Sequence, residues 1–377
     1  MATSYCFLST YAPTQCGLAT FTASLMRAIA PAGSGDRAGV VQIAETRTPN
    51  HRPEVVGHLH NGDPASVIEA AAVLNQHDVA VILHEYGIYG GTDGDEVLAV
   101  LDHVRVPIIA VLRTVLSRPT AHQRAVLEQI IAAADSVVVM TWTAQQRLVA
   151  GYRVDAAKIV VIPHGAPEYA EHWSSSLVHH PTILTWGLLG PGKGIEWGLT
   201  GLREIRNLRP APRYVIAGQT HPRVRRESGE AYRLGLVSRA RALGVSTLVR
   251  FERGFLDDAA LQRLIHAADV VLLPYDSYEQ VTSGVLSEAI AAHKPVVSTA
   301  FPHAVELLSD GAGLLVPHGD GHAIGAALRR VLTEPQLAAR MSAEAAKLAP
   351  GISWPVVAER YRSLVDDLLG IRGAVIG

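Results

Sequence analysis

The stretch PYDSYEQVTSGVLSEAIAAHKPVV at 274–297 decides how this chain reads. It reads as a strand end, a Ser/Thr/Gly turn, the first turns of a helix carrying Glu288, and a turn into another strand. ADVVLLP (268–274) before it and PVVSTA (295–300) after it are short apolar runs of strand type. A turn of small residues opening a helix presents unpaired N–H groups at the positive end of the helix dipole, where an anion such as a diphosphate binds. One turn further on, the Glu288 carboxylate stands where it can accept from hydroxyls attached to that anion. These are the parts of a nucleotide-sugar site.

The same alternation of strand and helix extends in both directions. Strands are expected at 4–10, 39–44, 79–85, 107–113, 136–141 and 159–163, with helices at 18–30, 65–75, 95–104, 121–134 and 143–150 between them. After an aperiodic connection at 164–182, strands follow at 182–189, 213–218, 248–253, 270–275, 295–299 and 313–317. Helices are expected there at 195–206, 222–243, 257–267, 284–293, 302–309 and 321–333, and an amphipathic tail at 354–369 closes the series. Such alternation means βαβ units and parallel sheets. The expected fold is α/β: two doubly wound, Rossmann-like domains facing across a cleft, with chemistry in the loops that follow strands.

Length and composition agree. A chain of 377 residues is too long for one ordinary core. Hydrophobic content of 48% with 18% charged residues is that of a globular protein. A net charge of −2, with PRVRR at 222–226 as the only basic block, gives no basis for nucleic-acid binding. The two cysteines, Cys6 and Cys16, form no metal-ligand spacing or disulfide framework, which fits a reducing cytosol. The opening MATSYCFLSTYAP lacks the basic start and apolar core of a signal peptide. No apolar run approaches the ~20 residues a membrane span needs. The expectation is a cytoplasmic protein without a transmembrane segment; peripheral membrane contact and a homodimer are left open.

Four loops carry candidate chemistry. TYAPTQCGLATFTASL (10–25) makes a glycine turn into a helix, which by itself is an ordinary strand-to-helix turn. HEYGIYGGTDGD (84–95) crowds glycines and tyrosines after a buried strand, with His84 at the strand end. Within it Asp93-Gly94-Asp95 imitates an Asp-x-Asp metal motif but reads better as a helix cap. GLLGPGKG (187–194) fits G-x-x-x-x-G-K, yet Gly194 stands where a P-loop needs Ser or Thr, and no Walker-B strand ends in Asp. Lys193 remains a phosphate candidate. The fourth loop is the opening stretch, in which Ser283, Gly284, Val285 and Leu286 would donate backbone N–H groups. His221 and His303 also follow strands, as site or turn residues alike.

In this order, CGLATF, HEYGIYGG, VIPHG, GLLGPGKG, AADVVLLPY, SGVLSEAIAAHKPVVST and GAGLLVPHGD resemble the retaining nucleotide-sugar glycosyltransferases of family 4, which have the GT-B fold. The resemblance covers nearly the whole chain. It implies an acceptor-binding domain at 1–165, joined by the C-terminal helix 354–370, and a domain at 166–353 that binds the nucleotide sugar. Glu288 looks like the glutamate that hydrogen-bonds the donor ribose, and Lys193 like the phosphate lysine. The amides of Gly284, Val285 and Leu286 would hold the diphosphate, with Gly17 and Leu18 approaching from the other domain. His84 matches the histidine near the transferred sugar.

Three positions depart from the pattern. Gln280 replaces the first of two glutamates and brings no charge to an oxocarbenium ion. Leu188 replaces an arginine, leaving Arg113, Arg223 or Arg253 to supply the missing phosphate contact. Arg113 itself ends a strand where relatives often have His. A hydrogen bond to a charged group contributes roughly 1.5–3 kcal/mol, so each replacement bears on donor binding.

The implied activity is metal-independent transfer, with retention, of a sugar to a hydroxyl of a saccharide or glycoconjugate. GDP-mannose is the guessed donor, and no cofactor beyond the nucleotide sugar is implied. A glycan phosphorylase using inorganic phosphate is the first alternative, and an inactive sugar-nucleotide-binding protein the second.

Overall fold

The computed structural model describes residues 2–44, 52–169, 180–254 and 256–370. The chain divides into two compact units: Met1–Gly165 with Trp354–Gly377, and Ala166–Ser353. Unit 1 begins with β1 (Ser4–Ser9), α1 (Gly17–Ile29), β2 (Arg37–Ala44), β3 (Val55–His60), α2 (Pro64–Leu74) and β4 (Val79–His84). It continues with α3 (Glu96–Leu101), β5 (Ile108–Leu112), α4 (Ala121–Ala133), β6 (Ser136–Val139), α5 (Trp142–Gly151) and β7 (Ile159–Val161). Unit 2 begins with β8 (Thr182–Trp186), α6 (Ile195–Ile205), β9 (Arg213–Ala217), α7 (Pro222–Ser228), α8 (Ala231–Ala242) and β10 (Val249–Glu252). It then carries α9 (Asp258–Ala267), β11 (Val270–Leu273), α10 (Gly284–Ala291), β12 (Val296–Thr299), α11 (Pro302–Leu308) and β13 (Gly313–Val316). Helices α12 (Gly321–Thr333) and α13 (Pro335–Leu348) complete unit 2, and α14 (Trp354–Leu368) belongs to unit 1.

Both sheets are parallel. Their orders are β3-β2-β1-β4-β5-β6-β7 and β10-β9-β8-β11-β12-β13. The order reverses beside β1 in the first sheet and beside β8 in the second, and ligands of open α/β sheets bind in the crevice outside the strand ends at that reversal. The loops after β1 and β4, and those after β8 and β11, therefore occupy the two privileged positions.

Strands such as VAVIL within β4, IIAVL and VVLL are continuously apolar because helices cover both faces. In unit 2 the alternation is explicit. Leu184, Val271 and Leu273 join the core beneath α9, α10 and α11, while Ile183, Val270 and Leu272 join that beneath α6, α8 and α12. Helix α14 presents Val357, Ala358, Tyr361 and Val365 to the unit 1 core. Its Arg362 Nη1 donates to the carbonyls of Ala28 and Ile29 (both 3.1 Å), at the negative end of α1.

Three elements differ from expectation. Strand β3, VVGHLH, is broken up in sequence by Gly57, His58 and His60; a Cβ at Gly57 would come within 3.2 Å of the Val73 side chain of α2. The single helix expected at 222–243 is divided at Gly229, whose φ is +60°. Helix α13 was not anticipated, although Pro335 and an apolar stripe of Leu337, Met341 and Ala345 mark it. Of the expected connection at 164–182, residues 170–179 lie outside the described residues. Among the described residues no helix is long and apolar enough to cross a membrane.

Close backbone contacts hold the strand exits of unit 2. Gly194 has φ +60°, and a Cβ there would overlap the Pro274 carbonyl; Gly218 has φ +136°, and a Cβ there would overlap the carbonyl of Gly187. Gly194→Ala should therefore destabilise the protein by more than about 2 kcal/mol, through strain plus overpacking, as read from the midpoint of urea unfolding. An unchanged midpoint would show that the loop relaxes freely.

Candidate active site

In unit 2 the site begins at the N-terminus of α10. Ser283 is the N-cap, and its Oγ accepts from the Leu286 amide at 3.2 Å. The Ser283 amide itself donates to Nδ1 of His303 at 2.9 Å. Only the amides of Gly284 and Val285 are therefore left open among the four expected to face an anion, and this corrects the sequence reading for Ser283 and Leu286. His303 is 3% exposed and accepts at Nδ1, so its neutral form carries the proton at Nε2. A histidine that reads equally as a turn or a site residue thus fixes the turn that opens α10. Gln280 turns onto its own turn, its Nε2 donating to the Thr282 carbonyl at 3.1 Å, while its own carbonyl accepts from the His303 amide at 3.4 Å.

Lys193 sits on the loop between β8 and α6. Asp276 ties this loop to the exit of β11: its amide donates to the Gly192 carbonyl at 3.0 Å, and its Oδ2 accepts from Trp197 Nε1 at 2.9 Å. The Lys193 Nζ lies 4.3 Å from the Tyr275 ring centroid. Tyr275 is buried and stacks on Phe301 at 5.2 Å. Among the described residues no carboxylate pairs with Lys193, so an aromatic face positions its charge without neutralising it. His221 caps α7 by accepting the Arg223 amide at Nδ1 (3.2 Å); burial and then the charge of Lys193 lower its pKa. Arg223 is taken up by Glu227 at 2.8 Å, whereas Arg253 is exposed beyond β10 with no ion pair among the described residues.

Glu288 is enclosed one turn into α10. Its Oε2 accepts from Trp186 Nε1 at 3.0 Å. Burial pushes its pKa up to about 7; the Trp186 hydrogen bond opposes this, and Asp258 adds to it. Trp186, the last residue of β8, carried no functional signal in the sequence, since a strand-terminal tryptophan reads as core.

In unit 1, His84 ends β4 fully buried, edge-on to Tyr86 at 4.9 Å, with neither ring nitrogen hydrogen-bonded. Burial lowers its pKa to about 4, so it is neutral. Glu85 is more prominent: its Oε2 accepts from Thr114 Oγ1 at 2.6 Å and its Oε1 from the Tyr86 amide at 3.2 Å. Burial raises the Glu85 pKa, while Thr114 and the Arg113 charge oppose the rise. Arg113 lies 5.1 Å from the Phe21 ring centroid, and its Nη1 points at Met140 Sδ at 3.6 Å. Gly17 and Leu18 open α1, capped by Cys16, whose sulfur accepts from the Ala19 amide at 3.5 Å.

Asp93 and Asp95 do not cap α3 with their side chains. Both carboxylates contact His122, at 3.1 and 3.3 Å. Asp95 does hold the N-cap position of α3, without a side-chain cap bond, and among the described residues no group of three or more His, Cys, Asp or Glu side chains could hold a metal ion.

Residues 170–348 match the family model described as glycosyl transferases group 1. Through this unit, just under half of its length, the chain is similar to the group-1 glycosyl transferases. It is 30% identical to a D-inositol 3-phosphate glycosyltransferase of Kineococcus radiotolerans, over 66% of this chain and 61% of that protein. A protein of the same name from Stackebrandtia nassauensis is 29% identical, over 66% of this chain and 56% of that one. The matches thus span about six tenths of these relatives. Among solved structures, HepE from Anabaena in complex with UDP has a TM-score of 0.75 at 17% identity, covering 97% of this chain and all of that one. Sucrose-phosphate synthase from Thermosynechococcus elongatus has a TM-score of 0.76 at 17% identity, covering 98% of this chain and all of that one. The architecture is that of GT-B glycosyltransferases: two Rossmann-like units with parallel sheets.

The enclosed carboxyl of Glu288 sets a pH dependence. Its pKa in the folded protein is about 7 against an ordinary 4.5, so the neutral acid is favoured on folding. Its stabilising contribution is complete below pH 4.5 and is lost as pH rises through 7. Glu288→Gln should be more stable than the wild type at pH 8, by on the order of 1–3 kcal/mol. The difference should vanish near pH 4.5. Urea unfolding at the two pH values checks this, and equal stability of the two proteins at pH 8 would remove the argument.

Proposed function

We propose that this chain is a nucleotide-sugar glycosyltransferase that moves a hexosyl group, with retention and without a metal, to a hydroxyl of a saccharide or glycoconjugate acceptor. The observation that carries this reading is the set gathered beside the β8 switch point. An unneutralised Lys193 and the open amides of Gly284 and Val285 suit a diphosphate, and Glu288, with one oxygen held by Trp186, suits ribose hydroxyls.

Departure of the nucleotide builds negative charge on the distal phosphate. Lys193 and the α10 amides are preorganised to meet that charge, so electrostatic stabilisation supplies most of the rate. No side chain is placed as a nucleophile, and the departing phosphate oxygen takes the acceptor proton as the new bond forms on the same face. Arg253, exposed in unit 2 and without an ion pair among the described residues, is the candidate to reach the phosphate in place of the arginine that Leu188 replaces. Gln280, engaged with the Thr282 carbonyl, supports the α10 turn. His84 acts by supporting loop 84–95.

The HepE structures carrying UDP and UDP-glucose favour a uridine diphosphate donor over GDP-mannose. Titration with UDP, GDP, ADP and inorganic phosphate should show UDP tightest. Phosphate binding alone would favour the phosphorylase reading, and nucleotide binding with no turnover on any acceptor would favour an inactive binder.

Lys193→Ala should lower turnover by about 10²–10³-fold with folding intact. Glu288→Ala should weaken nucleotide binding about tenfold or more. If both variants fold and turn over like the wild type, the site lies elsewhere.

A further inference from the structure

Unit 1 holds a second group of polar atoms at the carboxyl edge of its sheet. His58 and His60 lie two apart on β3 and so share one face, with the buried Leu59 on the other. Their rings are parallel within 3°, with centroids 5.7 Å apart. Nε2 of His58, Nδ1 of His60 and Oδ1 of the adjoining Asn61 are all buried and without a hydrogen-bond partner. Three such atoms on neighbouring residues are costly to leave unsatisfied, and proteins keep such sets where a ligand or an ordered water completes them.

The surroundings are built to hold them in place. Asn61 is oriented by its Nδ2, which donates to the Ile88 carbonyl at 3.1 Å. Glu96 spans the gap between the β3–α2 turn and the glycine-rich loop after β4: its Oε1 accepts from the Gly62 amide at 2.7 Å and its Oε2 from the Gly90 amide at 3.2 Å. The His60 amide donates to Ser66 Oγ at 2.7 Å, and Ser66 Oγ donates to the His58 carbonyl at 3.3 Å. Backbone and carboxylate are thus spent on the frame, and the three unsatisfied side-chain atoms are left over.

Their chemistry selects the ligand. Burial and the neighbouring His60 both lower the pKa of His58, which keeps it neutral. A neutral imidazole has one donor and one acceptor, and an amide oxygen accepts. Neither lysine nor arginine belongs to the set. Donors and acceptors set side by side match hydroxyl groups, which both give and take hydrogen bonds, whereas a phosphate would meet the acceptors without a lysine or arginine to balance its charge.

The geometry points to a subsite formed by His58, His60 and Asn61 that binds the hydroxyls of an uncharged sugar or cyclitol ring. This rests on the glycosyltransferase reading and locates part of the acceptor in unit 1.

The test uses methyl α-mannoside, methyl α-glucoside and myo-inositol as probes, with saturation-transfer NMR on the full chain. At least one should bind, and His58→Phe and His60→Phe should each weaken that binding tenfold or more. UDP affinity, measured in parallel, should not change. If a Phe variant loses its cooperative melting, Asn61→Ala serves in its place and His60→Gln should restore part of the binding. Binding of none of the three probes, or equal binding by the variants, overturns the subsite and leaves the atoms to an internal water. Displacement of the probe by inorganic phosphate also overturns it, in favour of an anion site. Failure of UDP to bind the wild type counts against the proposed function, whatever the sugar probes do.

Discussion

Backbone packed against backbone at the carboxyl edge of the second sheet is the constraint from which the rest of unit 2 follows. Gly194 lies against the Pro274 carbonyl and Gly218 against that of Gly187, so the loops leaving β8, β9 and β11 meet without side chains between them. The Asp276 amide on the Gly192 carbonyl and the bridge between Leu189 and Thr220 complete this contact. A loop held so closely has little freedom, and Lys193 gains a fixed place over the Tyr275 ring without an ion pair to hold it. An ion pair would have anchored the lysine equally well but would have cancelled the charge. The aromatic anchor leaves that charge free for an anion.

Glu288 is handled in the opposite way. Its carboxyl is enclosed, and Trp186 supplies one hydrogen bond, which is less than an ionised carboxylate in that setting needs. The protein therefore holds the group near the balance between its two protonation states. Hydroxyl donors from a ligand would shift it toward the anion, since they stabilise the charged form. Lys193 and Glu288 together show how one unit keeps a positive and a negative group ready near neutral pH without letting them pair.

Much of this was legible in the sequence, because it rests on local rules. The strands were visible as β-branched runs, the α10 cap as Ser before a helical period, and the lysine loop as Gly-Pro-Gly-Lys-Gly. What escaped depends on contacts between distant segments. Nothing near Ser283 says that His303, twenty residues on, takes its amide and leaves only Gly284 and Val285 open. Nothing near Glu288 says that Trp186 reaches it across 102 positions. Glu85 was passed over because its neighbour His84 is the more familiar functional type; the structure buries the histidine and engages the glutamate with Thr114. Strand β3 failed for the converse reason. Its histidines broke the apolar pattern that identifies a strand, and they break it because their polar atoms are not there for the core.

Gln280 takes a different meaning from these contacts. As a departure from a glutamate pattern it marks a place where chemistry could differ, through a charge missing beside the transferred sugar. In the folded chain its amide group donates to the Thr282 carbonyl, and its own carbonyl meets the His303 amide. His303 in turn accepts from Ser283. A carboxylate in place of Gln280 has no proton to donate and would face the Thr282 carbonyl with like partial charge, so this turn favours the neutral amide. The side chain at 280 thus acts on its own turn, while the contact with His303 is made by backbone atoms that any residue there would supply. Glutamine at 280 and histidine at 303 each fix part of the turn that opens α10, the first through the Thr282 carbonyl and the second through the Ser283 amide.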